Sequence, residues 1–369
     1  MATKKENTKP IENKVVVSFA ALNPYITTNI ITAEEKENKG TDFISWGSNN
    51  QYPDYMFGLY NNVTLFRSIV NGIADYVVGD GVKSNISLLN DESAEELVKA
   101  LAIDYAIYGG FAIDVERSKE KKVVKILHLS IKSIRSDKKN DILFYSEDWN
   151  KSAGRVQYTK YGKFRPEGDE FSSIYFFKNF NDKVYPMGPL EGDGAIACET
   201  IKAVSDFHFN NLNNGFTSSY IINLNNGVPS DEAKAEIETN ITEKFTGYQN
   251  AGRPVISFNI DKDHEATITK IEQDDFDKKY EALRANARQV LFTSYKASPN
   301  LFGMTTDNKG FSEEEYDQAF KLFNRTVIRP IQKVICNAID KITGQAGSLT
   351  IKPFSIDWSE DAEDEETVK

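Results

Sequence analysis

The sequence predicts an α+β fold: a β-rich platform, then a long helix, a small α/β insert and two further helices. Three observations predict it. Short β-rich runs separated by polar turns fill most of 111–177. From 190 onward, apolar spacings of three and four with capping signals mark helices. Between those helices, 216–272 reads strand, turn, helix, strand, strand.

With 369 residues, 40% hydrophobic and 12% aromatic, the chain can bury a real core and is not a wholly disordered protein. Residues 1–14 are polar, carry Lys4, Lys5, Lys9 and Pro10, and read as a disordered tail without the apolar stretch of a signal peptide. A strand-like run follows at 15–19, and a loop is expected around 46–53. A helix over 64–78 ends at Gly79 and Gly81. A second, over 93–108, opens on Ser93 with Glu96 three residues on, the reciprocal capping-box spacing. After Gly109 and Gly110, strands are expected at 111–116, 123–129, 142–145, 155–159 and 172–177.

Pro189 is expected near the first helical position of a helix over 190–213. In the insert, strands are expected at 220–224, 254–260 and 266–271, with a helix beginning after Pro229 and Ser230. From 274, Phe276, Tyr280, Leu283, Ala287 and Val290 draw one narrow apolar seam along a helix that stops before Pro299. A glycine-bounded loop, Gly303 to Gly310, precedes a long helix capped by Ser312 and Glu315, with Tyr316, Phe320, Phe323 and Val327 on one face. Pro330 falls inside that helix and is expected to kink it. Residues 348–356 read as one strand, and 359–369 as an acidic tail.

Charge and motifs restrict function. A net charge of −11 argues against a protein that wraps nucleic acid with a broad basic face, though not against a channel along which DNA slides. No stretch approaches a membrane span. The two cysteines, Cys198 and Cys336, lack metal-site or redox spacing and read as buried free thiols. His128, His208 and His264 are scattered, with His128 reading as structural. Asp261 to Glu272 imitates a calcium loop but has Ala266 where the loop needs glycine. Neither a Walker A loop nor a GxSxG elbow is present, so no catalytic residue, cofactor or metal ligand is assigned.

Several strings in a fixed order resemble tailed double-stranded DNA phage portal proteins, the head-tail connectors. They are Tyr185-Pro-Met-Gly-Pro-Leu190, Phe207-His-Phe-Asn-Asn-Leu-Asn-Asn-Gly-Phe216, Gly247-Tyr-Gln-Asn-Ala-Gly-Arg253, Ser298-Pro-Asn-Leu-Phe-Gly303 and Arg329-Pro330. The resemblance implies a wing at 15–189, a two-helix stem at 190–215 and 273–298, and a clip at 216–272. It further implies a tunnel loop at 299–311, a long kinked wing helix at 312–346 and a C-terminal strand at 347–358; the chain departs from the many portals that carry a helical crown after the kinked helix, and its crown is expected to be absent or vestigial.

Its implied function is a homo-oligomeric ring, usually a dodecamer, at one capsid vertex of the virion, assembled in the host cytoplasm. The ring would carry double-stranded DNA during packaging and ejection. Its implied partners are the terminase large subunit, a head-tail adaptor and the major capsid or scaffold protein, with no membrane.

In a ring, one side chain per subunit becomes a circle of identical groups. That selects Thr305, Thr306, Asn308 and Lys309 as weak phosphate contacts in the channel, with Gly303, Gly310 and Pro330 as hinge and kink positions. The same loop also fits an ordinary polar connection. Phe276, Tyr280, Leu283, Arg284 and Arg288 are subunit-interface candidates that equally fit packing within one subunit or, for the arginines, simple exposure. Two other functions fit the composition: a metal-dependent DNA-processing enzyme with dispersed acids, and a generic structural adaptor of the virion.

Overall fold

The computed structural model describes residues 30–38, 40–85, 93–120, 122–151, 154–163, 171–214, 220–223, 230, 267–270, 276–304 and 312–355. The expected strands at 15–19 and 254–260, the insert's helix and the acidic tail lie outside them.

Two short strands, β1 (Glu35–Glu37) and β2 (Ile44–Trp46), pair antiparallel ahead of the first helix. Where a loop was expected, Tyr52–Asn62 forms α1, with Pro53 in its first turn. Proline is tolerated there because the first helical N–H groups have no partner within the helix. Helix α2 (Thr64–Val78) buries Phe66, Ile69, Val70, Ile73 and Val77, the stripe expected of a core helix. After β3 (Val82–Ser84), α3 (Ala94–Tyr108) opens with both capping-box bonds formed, Glu96 N to Ser93 Oγ at 3.1 Å and Ser93 N to Glu96 Oε2 at 2.8 Å.

Gly109 ends α3 at φ +77, and a Cβ there would stand 2.2 Å from the Met187 carbonyl. Glycine is therefore required twice over, by conformation and by space.

The platform strands are β4 (Gly110–Arg117), β5 (Val123–Leu129), β6 (Ile134–Ser136), β7 (Ile142–Tyr145), β8 (Val156–Lys160) and β9 (Ser172–Lys178). They form one sheet in the order β5-β4-β9-β8-β7-β6, antiparallel except between β8 and β9. Beside it, Tyr185 stacks on Trp46 at 4.5 Å and receives a bond from Ser136 N. Arg135 is completely buried, bonded to Asn50 and to the carbonyls of Lys132 and Ile134, and faces the Trp149 ring at 4.7 Å. Burial lowers its guanidinium pKa to about 10.

Helix α4 (Asp193–Asn214) begins later than expected. Pro189 lies in the preceding turn, which Gly192 closes at φ +99. Strands β10 (Tyr220–Asn223) and β11 (Thr267–Lys270) pair antiparallel, and α5 (Phe276–Ser294) follows.

The long C-terminal helical run is α6 (Glu313–Phe323), a π turn at Asn324–Ile328, and α7 (Arg329–Thr343). The expected inward face is corrected within the π turn: Ile328 is buried, whereas Val327 is only partly so. Strand β12 (Leu349–Ile351) then returns to pair with β3.

Candidate assembly surface

Helices α4 and α5 run antiparallel side by side. At one end Phe207 meets Tyr280 with ring centroids 4.6 Å apart, and at the other a Cβ on Gly194 would lie 3.3 Å from Ser294 Oγ. Their platform ends enter the core through Ala195, Cys198, Ile201, Ala287, Leu291 and Phe292. Burial raises the Cys198 thiol to about 12, with the Glu199 charge adding to the effect. Both cysteines are free.

The opposite side of this pair is unfinished. Ile196, Thr200, Ala203 and Phe207 recur at intervals of four, three and four, and with Tyr280, Leu283 and Ile30 they line an open groove of about 240 Å³. Ile196 is 47% exposed, Leu283 50% and Phe207 37%. Water thus meets apolar side chains along one continuous strip, an arrangement that favours association.

A second junction joins α2 to the long helical run. Tyr76 donates to the Leu301 carbonyl at 2.8 Å and pairs with the Tyr316 hydroxyl at 2.9 Å. Around its ring stand Phe302, Phe320, Phe323 and Phe354. Gly303, at φ +73, ends the short 3₁₀ turn Pro299–Phe302 that carries Leu301. Ser312 Oγ accepts from Glu315 N at 3.2 Å and caps α6, one of the two bonds of the expected capping box.

A family model described as phage portal protein matches residues 87–355, more than half of the chain. This chain belongs to the phage portal protein family. Its fold is similar to the neck of a native gene transfer agent particle computed with C12 symmetry, with TM-score 0.56 and 18% identity over 91% of this chain and 90% of that one. It is also similar to an HK97-family phage portal protein from Corynebacterium diphtheriae, with TM-score 0.51 and 10% identity over 83% and 95%. At those identities the likeness is one of fold.

A Rickettsia bellii protein described as uncharacterized is 26% identical over 197 residues, 52% of this chain and 48% of that protein. The chain therefore spans about half the length of that curated relative.

The phage portal protein family is one of structural, non-enzymatic proteins. Among the described residues no group of three or more acids, histidines or cysteines could hold a metal ion, and no helix is long and apolar enough to cross a membrane. His128 bonds the buried Asp104 at 2.9 Å, and Asp104 also accepts from Ile131 N at 3.1 Å, tying α3 to the sheet edge.

Of the interface candidates, Tyr280 packs on Phe207 and Leu283 opens into the groove. Arg284 is exposed and Arg288 partly so, and neither makes an ion pair with another described residue. Phe276 opens α5, and its side chain lies outside the described part. Thr305, Thr306, Asn308, Lys309 and Gly310 also lie outside the described residues. Pro330 is exposed just after the π turn.

The α4 contribution was missed from sequence. Its signal, Ile196, Ala203 and Phe207 at spacings of seven and four, is diluted by Glu199 and Thr200.

Proposed function

We propose that this portal-family chain forms a closed ring, with about twelve copies by analogy to the C12 neck, through which DNA enters and leaves a capsid. The half-exposed apolar groove on the antiparallel α4–α5 pair carries this reading, because a neighbouring copy would cover it. On this reading the β-rich body and α6–α7 are the wing, α4 and α5 the stem, and the segment bearing β10 and β11 the clip. Loop 303–310 faces the channel, so Thr305, Thr306, Asn308 and Lys309 form rings of weak phosphate contacts. Arg284 and Arg288 reach acids of the adjacent subunit. The clip meets terminase during packaging and the head-tail adaptor afterwards, and the wing meets capsid or scaffold protein. After α7 the chain returns through β12 to pair with β3.

Native mass spectrometry with negative-stain microscopy tests the ring. A particle of about a dozen subunits with a central hole supports it; a monomer that cleaves DNA with magnesium overturns it. Deleting 305–309 is expected to leave rings intact and to impair DNA packaging or retention. Unfolding of the subunit would make that loop structural.

A further inference from the structure

The long helical run carries a second surface that neither the groove nor the loop explains. Lys321, Arg325, Arg329 and Lys333 follow at intervals of four through α6, the π turn and α7, and all four are exposed. Four residues overshoot one α turn by about 40° and fall short of one turn of the wider π coil. The π turn therefore offsets the drift and keeps the cations on one strip about 18 Å long. Among the described residues, none of the four makes an ion pair or a side-chain hydrogen bond. In a chain of net charge −11, four unpaired cations in a row call for a counter-charge.

The path of the backbone brings one to the head of the strip. After β12, Phe354 packs at 5.4 Å on Phe320, the residue before Lys321, and Ser355 Oγ donates to Asp80 at 2.6 Å. The next eleven residues, 356–366, hold seven carboxylates and no lysine or arginine. Extended, they span about 36 Å, twice the length of the strip. Leu322, 67% exposed beside Lys321, offers an apolar contact for Trp358, the one aromatic residue of that segment.

We infer that the acidic segment 357–366 lies along the strip of Lys321, Arg325, Arg329 and Lys333 in its own chain and shields it from DNA. Left bare, the strip would neutralise about four phosphates and bind duplex DNA without sequence preference. The pairing does not depend on ring formation.

Carbodiimide cross-linking of the full-length chain, read by mass spectrometry on a mixture of isotope-labelled and unlabelled protein, tests the contact. Links from Lys321 and Lys333 to the acids of 357–366 within one copy are expected. Links only to other lysines, or links that join two copies, overturn it.

A second measurement tests the shielding. Full-length protein with Asp357, Asp361 and Asp364 changed to Asn and Glu360, Glu363, Glu365 and Glu366 to Gln is titrated with a labelled short duplex at about 100 mM salt. It is expected to bind about tenfold more tightly than the unchanged chain, with a salt slope steeper by about three to four. That gain is expected to vanish when Lys321, Arg325, Arg329 and Lys333 are also changed to Gln. Equal binding by the first two proteins, or a gain that survives the change to the strip, overturns the shielding.

Discussion

Placing aspartate at both walls of the α4–α5 groove, Ile196→Asp with Leu283→Asp, separates assembly from folding. Complete burial of an isoleucine or leucine contributes about 1.5–3 kcal/mol. Ile196 and Leu283 are 47% and 50% exposed, so roughly half of that remains for a partner to collect, about 1 kcal/mol each. Losing both removes about 2 kcal/mol per interface, and two carboxylates facing an apolar surface add at least about 1 kcal/mol more. A total near 3 kcal/mol weakens each contact about a hundredfold. In a closed ring the penalty recurs at every interface. Within the subunit the buried half of each side chain is lost as well, about 1 kcal/mol each, and the lower helix propensity of two aspartates adds to it, so unfolding should change by roughly 2–3 kcal/mol with the subunit still folded. Sedimentation velocity over a concentration series, beside urea unfolding of the subunit, reads both quantities. Rings that form at the unchanged protein's concentration would refute the groove as an interface, and a collapsed urea midpoint would show that the two side chains serve the monomer.

Other positions test the fold itself. Gly109→Ala forces a side chain onto a φ of +77 with its Cβ 2.2 Å from the Met187 carbonyl, and should lower unfolding stability by more than about 2 kcal/mol; an unchanged urea midpoint would contradict that. Tyr76→Phe leaves the Leu301 carbonyl without its hydroxyl donor and should cost about 1–2 kcal/mol in the same assay. Lys160 is held at about 8 by burial and, secondarily, by the charges of Lys163 and Lys178. Its proton therefore leaves the folded chain before the unfolded one, so stability should rise between about pH 8 and the ordinary lysine range. Lys160→Met should flatten that rise, and equal slopes of urea midpoint against pH in the two proteins would contradict the assignment.

Elements with strong local signals were legible in the sequence. Ser93 and Glu96 announced α3, Gly79 and Gly81 marked the end of α2, and the runs of β5, β7 and β9 appeared within a residue of their positions. Elements that depend on distant partners were not. Strands β1, β2, β3 and β6 are three residues each, too short for alternation to show, and exist because of what they pair with. Helix α1 was hidden because Pro53 punctuates a loop as readily as it opens a helix. The groove was half legible. The α5 seam was visible through Tyr280, Leu283 and Ala287, but α4 carries apolar residues on two faces, so no single stripe stood out. The spacing of Lys321, Arg325, Arg329 and Lys333 was equally present in the sequence, interrupted by the expected break at Pro330.

The π turn shows how a register change can be read from burial. Between 323 and 335 of the long helical run the buried positions are Phe323, Ile328, Ile331 and Ile335, with intervals of five, three and four. In a continuous α-helix, five residues rotate a side chain about 140° past its starting face, so Phe323 and Ile328 could not both point into the core. The turn at Asn324–Ile328 absorbs one extra residue, with Arg329 N–H bonding back to the Asn324 carbonyl, and returns Ile328 to the inner face. It also precedes Pro330, whose ring would clash with the carbonyl four residues back in a regular α-helix and which can donate no bond of its own. The consequence is an ordering of two truncations. Ile328→Ala removes a side chain that is 1% exposed and should cost about 2–5 kcal/mol, whereas Val327→Ala, at a partly exposed site, should cost about 1 kcal/mol or less. A straight α-helix continuing the face of Phe320 and Phe323 would bury Val327 and reverse that order. Urea unfolding of the two variants decides it, and a larger loss at Val327 would mean that the helix keeps α register up to Pro330.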